Sequence, residues 1–235
     1  MNELKTIALL SFITLTELIS PAQTKDCVSV TQETRVLAKG SKSIFKCDIF
    51  YNKEKDAVVT HHYYPAEFVK IANRSGEMKI YFPATNTVSV QQNESYSTTN
   101  ELLYYFVNNK TTDLGLAKEG FKLIKTGSEE GMMVTTWQAP VTLKVVNKIK
   151  IEFKDMLPVY AEYLSINGSV IKKIYYSNYS DYISFRMPLR ITEISFETKT
   201  DSTIRLSVFS NVRTKDFPEN NYFNFKIPDD AKAGK

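Results

Sequence analysis

The sequence predicts a mainly β protein whose antiparallel sheet is large enough to curl around itself. Three observations predict it. First, apolar and polar residues alternate without a break over Lys148-Ile149-Lys150-Ile151-Glu152-Phe153-Lys154, and the pattern returns in Ile204-Arg205-Leu206-Ser207-Val208 and Met78-Lys79-Ile80-Tyr81-Phe82. A period of two gives a strand one wet and one dry face. Second, the 235 residues carry 14 Tyr and 14 Phe against one Trp, a load that suits strands and large apolar interiors. Third, about a dozen such strands present more dry surface than two helices can cover, so the sheet must bend to cover its own face. A curled sheet lined by Phe, Tyr, Ile and Leu tends to leave an interior wide enough for an apolar ligand. A flattened sandwich with a filled core satisfies the same periodicity.

Taken in order, residues 28–39 read as a helix, with Asp26 as cap, Val28, Gln32 and Val36 on one face and Gly40 as stop. Strands follow over 43–51, 57–64, 67–72, 78–82 and 87–91. Residues 99–108 read as an interior helix, because Leu102, Leu103 and Phe106 form an apolar stripe behind Asn100-Glu101 in its first turn. Strands resume over 121–125, 132–138, 148–154, 159–166, 170–176, 190–197, 204–208 and 222–227. Asn167-Gly168 is the strongest hairpin signal, since that pair accepts the positive φ angles of a type I′ turn. No repeat and no linker rich in Gly, Pro or Ser divides the chain.

The first 22 residues carry the three-part pattern of a secretory signal peptide: Lys5, an apolar run from Ile7 to Leu15, and the small residues Ser20 and Ala22 before an expected cut at Gln23. The run is too short to span a bilayer. The expected product is one exported domain, residues 23–235, acting as a monomer. In an oxidising compartment Cys27 and Cys47 are either a disulfide pair or two buried thiols.

The chemical inventory is sparse. Thirty Lys and Arg against 26 Asp and Glu give a net charge of +4 with the signs interspersed, unlike the basic face of a nucleic-acid binder. His61 and His62 are adjacent in a strand and point to opposite faces, which prevents joint action as a metal pair. The spacings of zinc sites, serine hydrolases and phosphate-binding loops do not occur. The paired acids Glu129-Glu130 and Asp229-Asp230 sit in turns. The inventory points to a binding protein that uses no catalytic residue, metal or cofactor.

From about Ser43 onward the chain resembles the periplasmic outer-membrane lipoprotein carriers of the LolA and LolB kind. The resemblance rests on Tyr64-Pro65-Ala66-Glu67-Phe68, then Gly76-Glu77-Met78-Lys79-Ile80-Tyr81-Phe82-Pro83 leading to Asn86-Thr87-Val88, and the helix at Asn100-Glu101-Leu102-Leu103. Pro140 after a strand, the Asn167-Gly168 hairpin leading to Tyr176-Ser177-Asn178-Tyr179, and the ending Phe223-Asn224-Phe225-Lys226-Ile227-Pro228 complete it. It implies an incomplete, half-open antiparallel β-barrel with helices as a lid over an apolar cavity. It also implies a periplasmic carrier that takes acylated lipoproteins from an inner-membrane exporter to an outer-membrane acceptor. Phe68 would stand in the cavity or at its rim, and Leu102, Leu103 and Phe106 in the lid. One residue departs from the carrier pattern: Tyr64 stands where that branch has the arginine that closes the lid. The alternating faces of Ile80 and Phe82, of Ile149, Ile151 and Phe153, of Ile194 and Phe196, and of Leu206 and Val208 are expected to line the cavity. Two other readings use the same scaffold: a carrier of another lipid or glycolipid, and a structural module that offers an edge strand to a cell-envelope partner.

Overall fold

The computed structural model describes residues 27–197, 201–214 and 221–234. The expected signal segment lies outside them. Two antiparallel meanders make up the fold. The first runs β1 (Cys27–Ala38), β2 (Ser41–Asn52), β3 (Ala57–Tyr64), β4 (Phe68–Ala72), β5 (Glu77–Phe82) and β6 (Thr87–Gln92). A crossing segment with one short helix, α1 (Leu102–Val107), follows. The second meander is β7 (Lys122–Glu129), β8 (Met132–Gln138), β9 (Val146–Lys154), β10 (Leu157–Ser165), β11 (Val170–Asp181), β12 (Arg186–Phe196) and β13 (Ser202–Arg213). β13 pairs with β1 and joins the two into one sheet, whose free ends are β7 and the short β14 (Lys232–Ala233), laid parallel on β6. The ends do not meet, so the barrel stays open.

The curl follows from packing. One apolar cluster joins Val58 of β3, Trp137 of β8, Ile149 and Ile151 of β9, and Phe106 of α1. β3 and β8 stand eight places apart in the strand order, about 38 Å in a flat sheet at the usual strand spacing. Only a sheet bent around α1 brings them into one core. The outer face of the first meander carries a second cluster, Phe50, Val59, Val69 and Tyr81, covered by the chain end. There Tyr222 stacks on Phe50 with centroids 5.2 Å apart, and Phe225 stacks on Tyr222 at 5.6 Å.

Three expectations are corrected. Residues 28–39 form β1, not a helix: Val28, Val30, Gln32 and Thr34 share one face at a period of two, and both strand edges are occupied, by β2 and β13. Lys39 and Gly40, both at positive φ, turn the chain into β2. Residues 222–227 are a short 3-10 turn followed by an extended strap; their aromatics are used against the outer face instead of a ladder. Cys27 and Cys47 are not bridged. Cys27 pairs across with Asn52 and Cys47 with Gln32, five register positions apart. That is about 16 Å along the strand, against the less than about 7 Å a disulfide needs.

Candidate functional site

The inner face of the sheet and the crossing segment over it form the site. Strand register decides which side chains face inward. On the first meander the inward set is Gln32 and Thr34 of β1, Cys47, Ile49 and Tyr51 of β2, Val58, Thr60 and His62 of β3, Phe68 and Lys70 of β4, and Ile80 and Phe82 of β5. On the second it includes Trp137, Ile149, Ile151, Phe153, Ala161, Ile174, Tyr176 and Ile191.

α1 has six residues, too few to persist alone. Burial holds it: Tyr104, Tyr105, Phe106 and Val107 are consecutive and all buried, so the helix is enclosed on every side. Phe106 is 1% exposed and its ring centroid lies 6.0 Å from that of Tyr176 and 6.2 Å from that of Tyr179. Polar contacts fix the segment to the loops at one end of the barrel: Thr98 Oγ1 donates to the Asp56 carbonyl at 3.0 Å, and Ser97 Oγ to the Arg74 carbonyl at 2.7 Å. At the far end of α1, Asn108 Nδ2 donates to Tyr51 Oη at 3.1 Å. Glu101 occupies the helix N-cap without making a capping bond. Its carboxylate instead accepts from Lys70 Nζ at 2.9 Å, tying the start of the lid to the sheet floor.

Beneath this tie lies a cavity of about 100 Å³, lined by Gln32, Cys47, Ile49, Tyr51, Val58, Thr60, His62, Lys70, Glu101, Leu103 and Tyr104. It has room for several water-sized groups. Its floor is mixed. Gln32 Nε2 donates to Thr34 Oγ1 at 3.1 Å, and Thr34 and Ser207 hydroxyls lie 3.2 Å apart. Burial pushes the Cys47 thiol up to about 11 and the Tyr51 phenol up to about 12, so both are protonated at neutral pH. Burial, helped by Lys70 and His61, pulls His62 down to about 4, leaving it neutral. From His62 an aromatic line runs toward the open rim: its ring stacks on Phe68 at 4.2 Å, and Phe68 meets Phe82 at 5.9 Å. Phe82 is 40% exposed. A wider recess of about 590 Å³ adjoins the crossing segment and is lined in part by Arg74, Lys110, Asp113 and Lys118. Its cations are engaged: Lys118 with Thr99 and Asn100, Lys110 with Tyr104, Arg74 with Asp56.

The sequence-expected residues divide into four groups. Phe68, Ile80 and Phe82 face inward beside the cavity. Ile149, Ile151 and Phe153 also face inward but are buried in one cluster with Phe106 of the crossing segment, so they form the wall behind it. Ile194, Phe196, Leu206 and Val208 face outward, a correction: Leu206 pairs with Arg35 and Val208 with Glu33, opposite to the inward Ser207. Leu102 and Leu103 are half-buried and pack against the core, while the fully enclosed lid residues include Tyr104 and Tyr105, which a stripe of Leu and Phe did not single out. Lys70 and Glu101 were also missed, and a lone Lys and Glu 31 positions apart carry no sequence signal. His61 and His62 do face opposite sides, His61 stacking on Tyr222 outside at 4.6 Å. Among the described residues no cluster of His, Cys, Asp or Glu has metal-binding geometry, and no helix is long and apolar enough to cross a membrane.

An open antiparallel half-barrel with a crossing segment in its concavity defines the class: the chain has the LolA-type fold. Three solved structures share it. A LolA superfamily protein from Nitrosomonas europaea superposes with a TM-score of 0.54 at 12% identity, over 84% of this chain and 90% of its own. A candidate outer membrane lipoprotein-sorting protein domain from Vibrio parahaemolyticus gives 0.57 at 16% identity, over 86% and 91%. A DUF1329 family protein from Desulfovibrio piger gives 0.55 at 14% identity, over 86% and 90%. No family model and no curated protein matches the sequence. At these identities the likeness is one of fold.

Proposed function

We propose that the protein is an exported, non-catalytic carrier that holds the acyl chains of an amphiphile, an acylated lipoprotein foremost, on its inner face beneath the crossing segment. The observation that carries the reading is the line of ring contacts from exposed Phe82 through Phe68 to His62, which lines the cavity under Leu103 and Tyr104. In this reading the closed cavity is the resting state, and loading lifts the start of the lid off the floor as Lys70 and Glu101 part. Each buried methylene is worth ~0.8 kcal/mol, so an acyl chain of ordinary length leaves a membrane for water at a cost on the order of 10 kcal/mol. A carrier site about as apolar as the membrane makes that transfer nearly isoenergetic. The route, from an inner-membrane exporter through the periplasm to an outer-membrane acceptor, belongs to the same proposal. So does removal of residues 1–22, which intact mass of the exported protein tests. The hydrogen-bonding floor around Gln32, Thr60, His62 and Lys70 favours cargo with a polar group near the chain, which keeps a lipid or glycolipid ligand as the second reading.

The test is binding of an acylated peptide or an environment-sensitive apolar dye by Phe68→Glu, Ile80→Glu and Lys150→Glu variants, with circular dichroism confirming that each folds. The first two place a charge beside the cavity, at a cost of several kcal/mol when desolvated, and are expected to abolish binding. Lys150→Glu, on the outer face, leaves it nearly unchanged. Equal binding by all three folded variants and wild type overturns the carrier reading.

A further inference from the structure

Away from the cavity, one end of the second meander gathers apolar side chains with nothing over them. β7 begins where β8 ends, Leu123 lying opposite Trp137, and the loop joining β8 to β9 projects beyond them. Val141 in that loop is 89% exposed, Val145 67%, and Leu143, Leu123 and Ile124 about half. Ser165 of β10 pairs with Val146, which brings the tip of the β10–β11 hairpin beside the loop and adds Ile166, also 67% exposed. Six large aliphatic side chains thus share one end of four neighbouring strands. The bulge at Ile124, between Leu123 and Lys125, interrupts the free edge of β7 and disfavours pairing with another strand.

The charge around the patch has one sign. Residues 121–125 and 139–148 contain Lys122, Lys125, Lys144 and Lys148 and not one Asp or Glu. None of these lysines takes part in an ion pair among the described residues; Lys144 donates only to the Val141 carbonyl at 3.3 Å. The nearest acid in sequence, Glu119, stands one turn before the patch. Aliphatic tips ringed by unpaired lysines match the two layers of a bilayer interface: the tips enter the acyl boundary while the ammonium groups meet anionic headgroups.

We propose that this end of the second meander is a membrane-docking surface for bilayers containing anionic phospholipid. It does not depend on the inner face binding acyl chains, since the patch stands on the tips of β7 to β10. The docked molecule would lie with the β8–β9 loop in the headgroup layer, and the open rim of the barrel would face the membrane along the same end as Phe82.

Vesicle flotation of the exported protein, residues 23–235, tests it, with vesicles of phosphatidylcholine alone and of equimolar phosphatidylcholine and phosphatidylglycerol. Wild type is expected to float with the mixed vesicles and weakly with the neutral ones, with the difference lost in high salt. The double variant Val141→Asp/Val145→Asp is expected to lose roughly tenfold or more in partitioning to mixed vesicles, and Lys122→Glu/Lys144→Glu to lose the preference for anionic lipid. All four positions are exposed, and unchanged circular dichroism and dye binding confirm that fold and cavity are intact. Flotation equal in wild type and Val141→Asp/Val145→Asp overturns the proposal, as does failure of wild type to float. A concentration-dependent dimer that both aspartates dissolve, without vesicle binding, assigns the patch to a second copy of the chain and also overturns it. Loss of dye binding in Phe68→Glu with flotation retained separates this surface from the cavity.

Discussion

The two halves of the inner face differ in kind. Over β8 to β12 the wall is mostly apolar: Trp137, Ile149, Ile151, Phe153, Ala161, Ile174, Tyr176 and Ile191 are buried in one cluster with the crossing segment, and the same face carries Thr135 and the Lys172–Glu193 pair. Over β13 and β1 to β4 the same face carries Ser207, Gln32, Thr34, Cys47 and Lys70, bonded to one another or to the crossing segment, with Thr60 and His62 beside them in the cavity lining. Exposing apolar wall costs roughly 25 cal/mol per Å², whereas a polar floor that exchanges partners with water or ligand loses little net energy. The apolar wall therefore anchors the crossing segment, and in the proposed carrier reading the mixed floor is where it lifts. On that side the crossing segment is held by polar contacts, Lys70 with Glu101 at its start and Asn108 with Tyr51 at its end.

The largest test of this asymmetry is Phe106→Ala. Removal of a ring enclosed by the apolar wall is expected to cost about 3–5 kcal/mol, read as a fall in the urea midpoint. Ile80→Ala, on the open side, should cost well under half of that, and equal losses would erase the distinction. Next is pH. His62 has its folded pKa depressed to about 4 against 6.5 when exposed, so the unfolded chain takes up the proton first as pH falls. Its contribution to stability is full above pH 6.5, declines between 6.5 and about 4, and levels off below that. His62→Gln is expected to flatten this segment of a stability–pH curve, and an unaltered slope would remove His62 from the buried floor.

Lys70→Met sharpens the comparison further. The ion pair is partly exposed, so stability should change by less than about 1 kcal/mol. Hydrogen exchange should quicken in residues 102–107 while the amides of β9 stay protected, and dye should bind faster. Acceleration in β9 as well would mean that both halves open together. A smaller effect still is expected from Leu206→Glu and Val208→Glu: both face outward, so dye binding should remain at the wild-type level, with stability changed by roughly 1 kcal/mol or less. Smallest of all, a reducing agent should leave the thermal midpoint where it was, because Cys27 and Cys47 stand too far apart to bridge; alkylation after denaturation without reductant should label both.

Parts of the site were legible and parts were not, for identifiable reasons. Phe68, Ile80 and Phe82 could be placed on one face because alternation relates neighbours along and across a hairpin. Alternation does not say which face is inside when both carry apolar residues, as around Ile194, Phe196, Leu206 and Val208. Tyr104 and Tyr105 were passed over because a helical stripe assumes one wet face, and α1 has none. The β7–β10 tips were invisible because Leu123, Val145 and Ile166 come from separate stretches of the chain that only pairing assembles.

The sequence by itself determined the class of the fold. A period of two over most of the chain, Asn167-Gly168 set for a tight hairpin with Gly168 at φ +80, and an aromatic load too large for a few helices to cover are local properties, written residue by residue. Tertiary structure decided what depends on partners. Val28 and Val36 suit a helix face or a strand face equally, and β2 and β13 on either side settled it for the strand. Two cysteines suggest a bridge by parity, and a register five positions out denied it. The chain end alternates like a strand, yet it packs on the apolar outer face of β2 to β5 and became a strap. In each case local energies were close to balanced, and hydrogen-bonding edges and buried area supplied by residues far along the chain broke the tie.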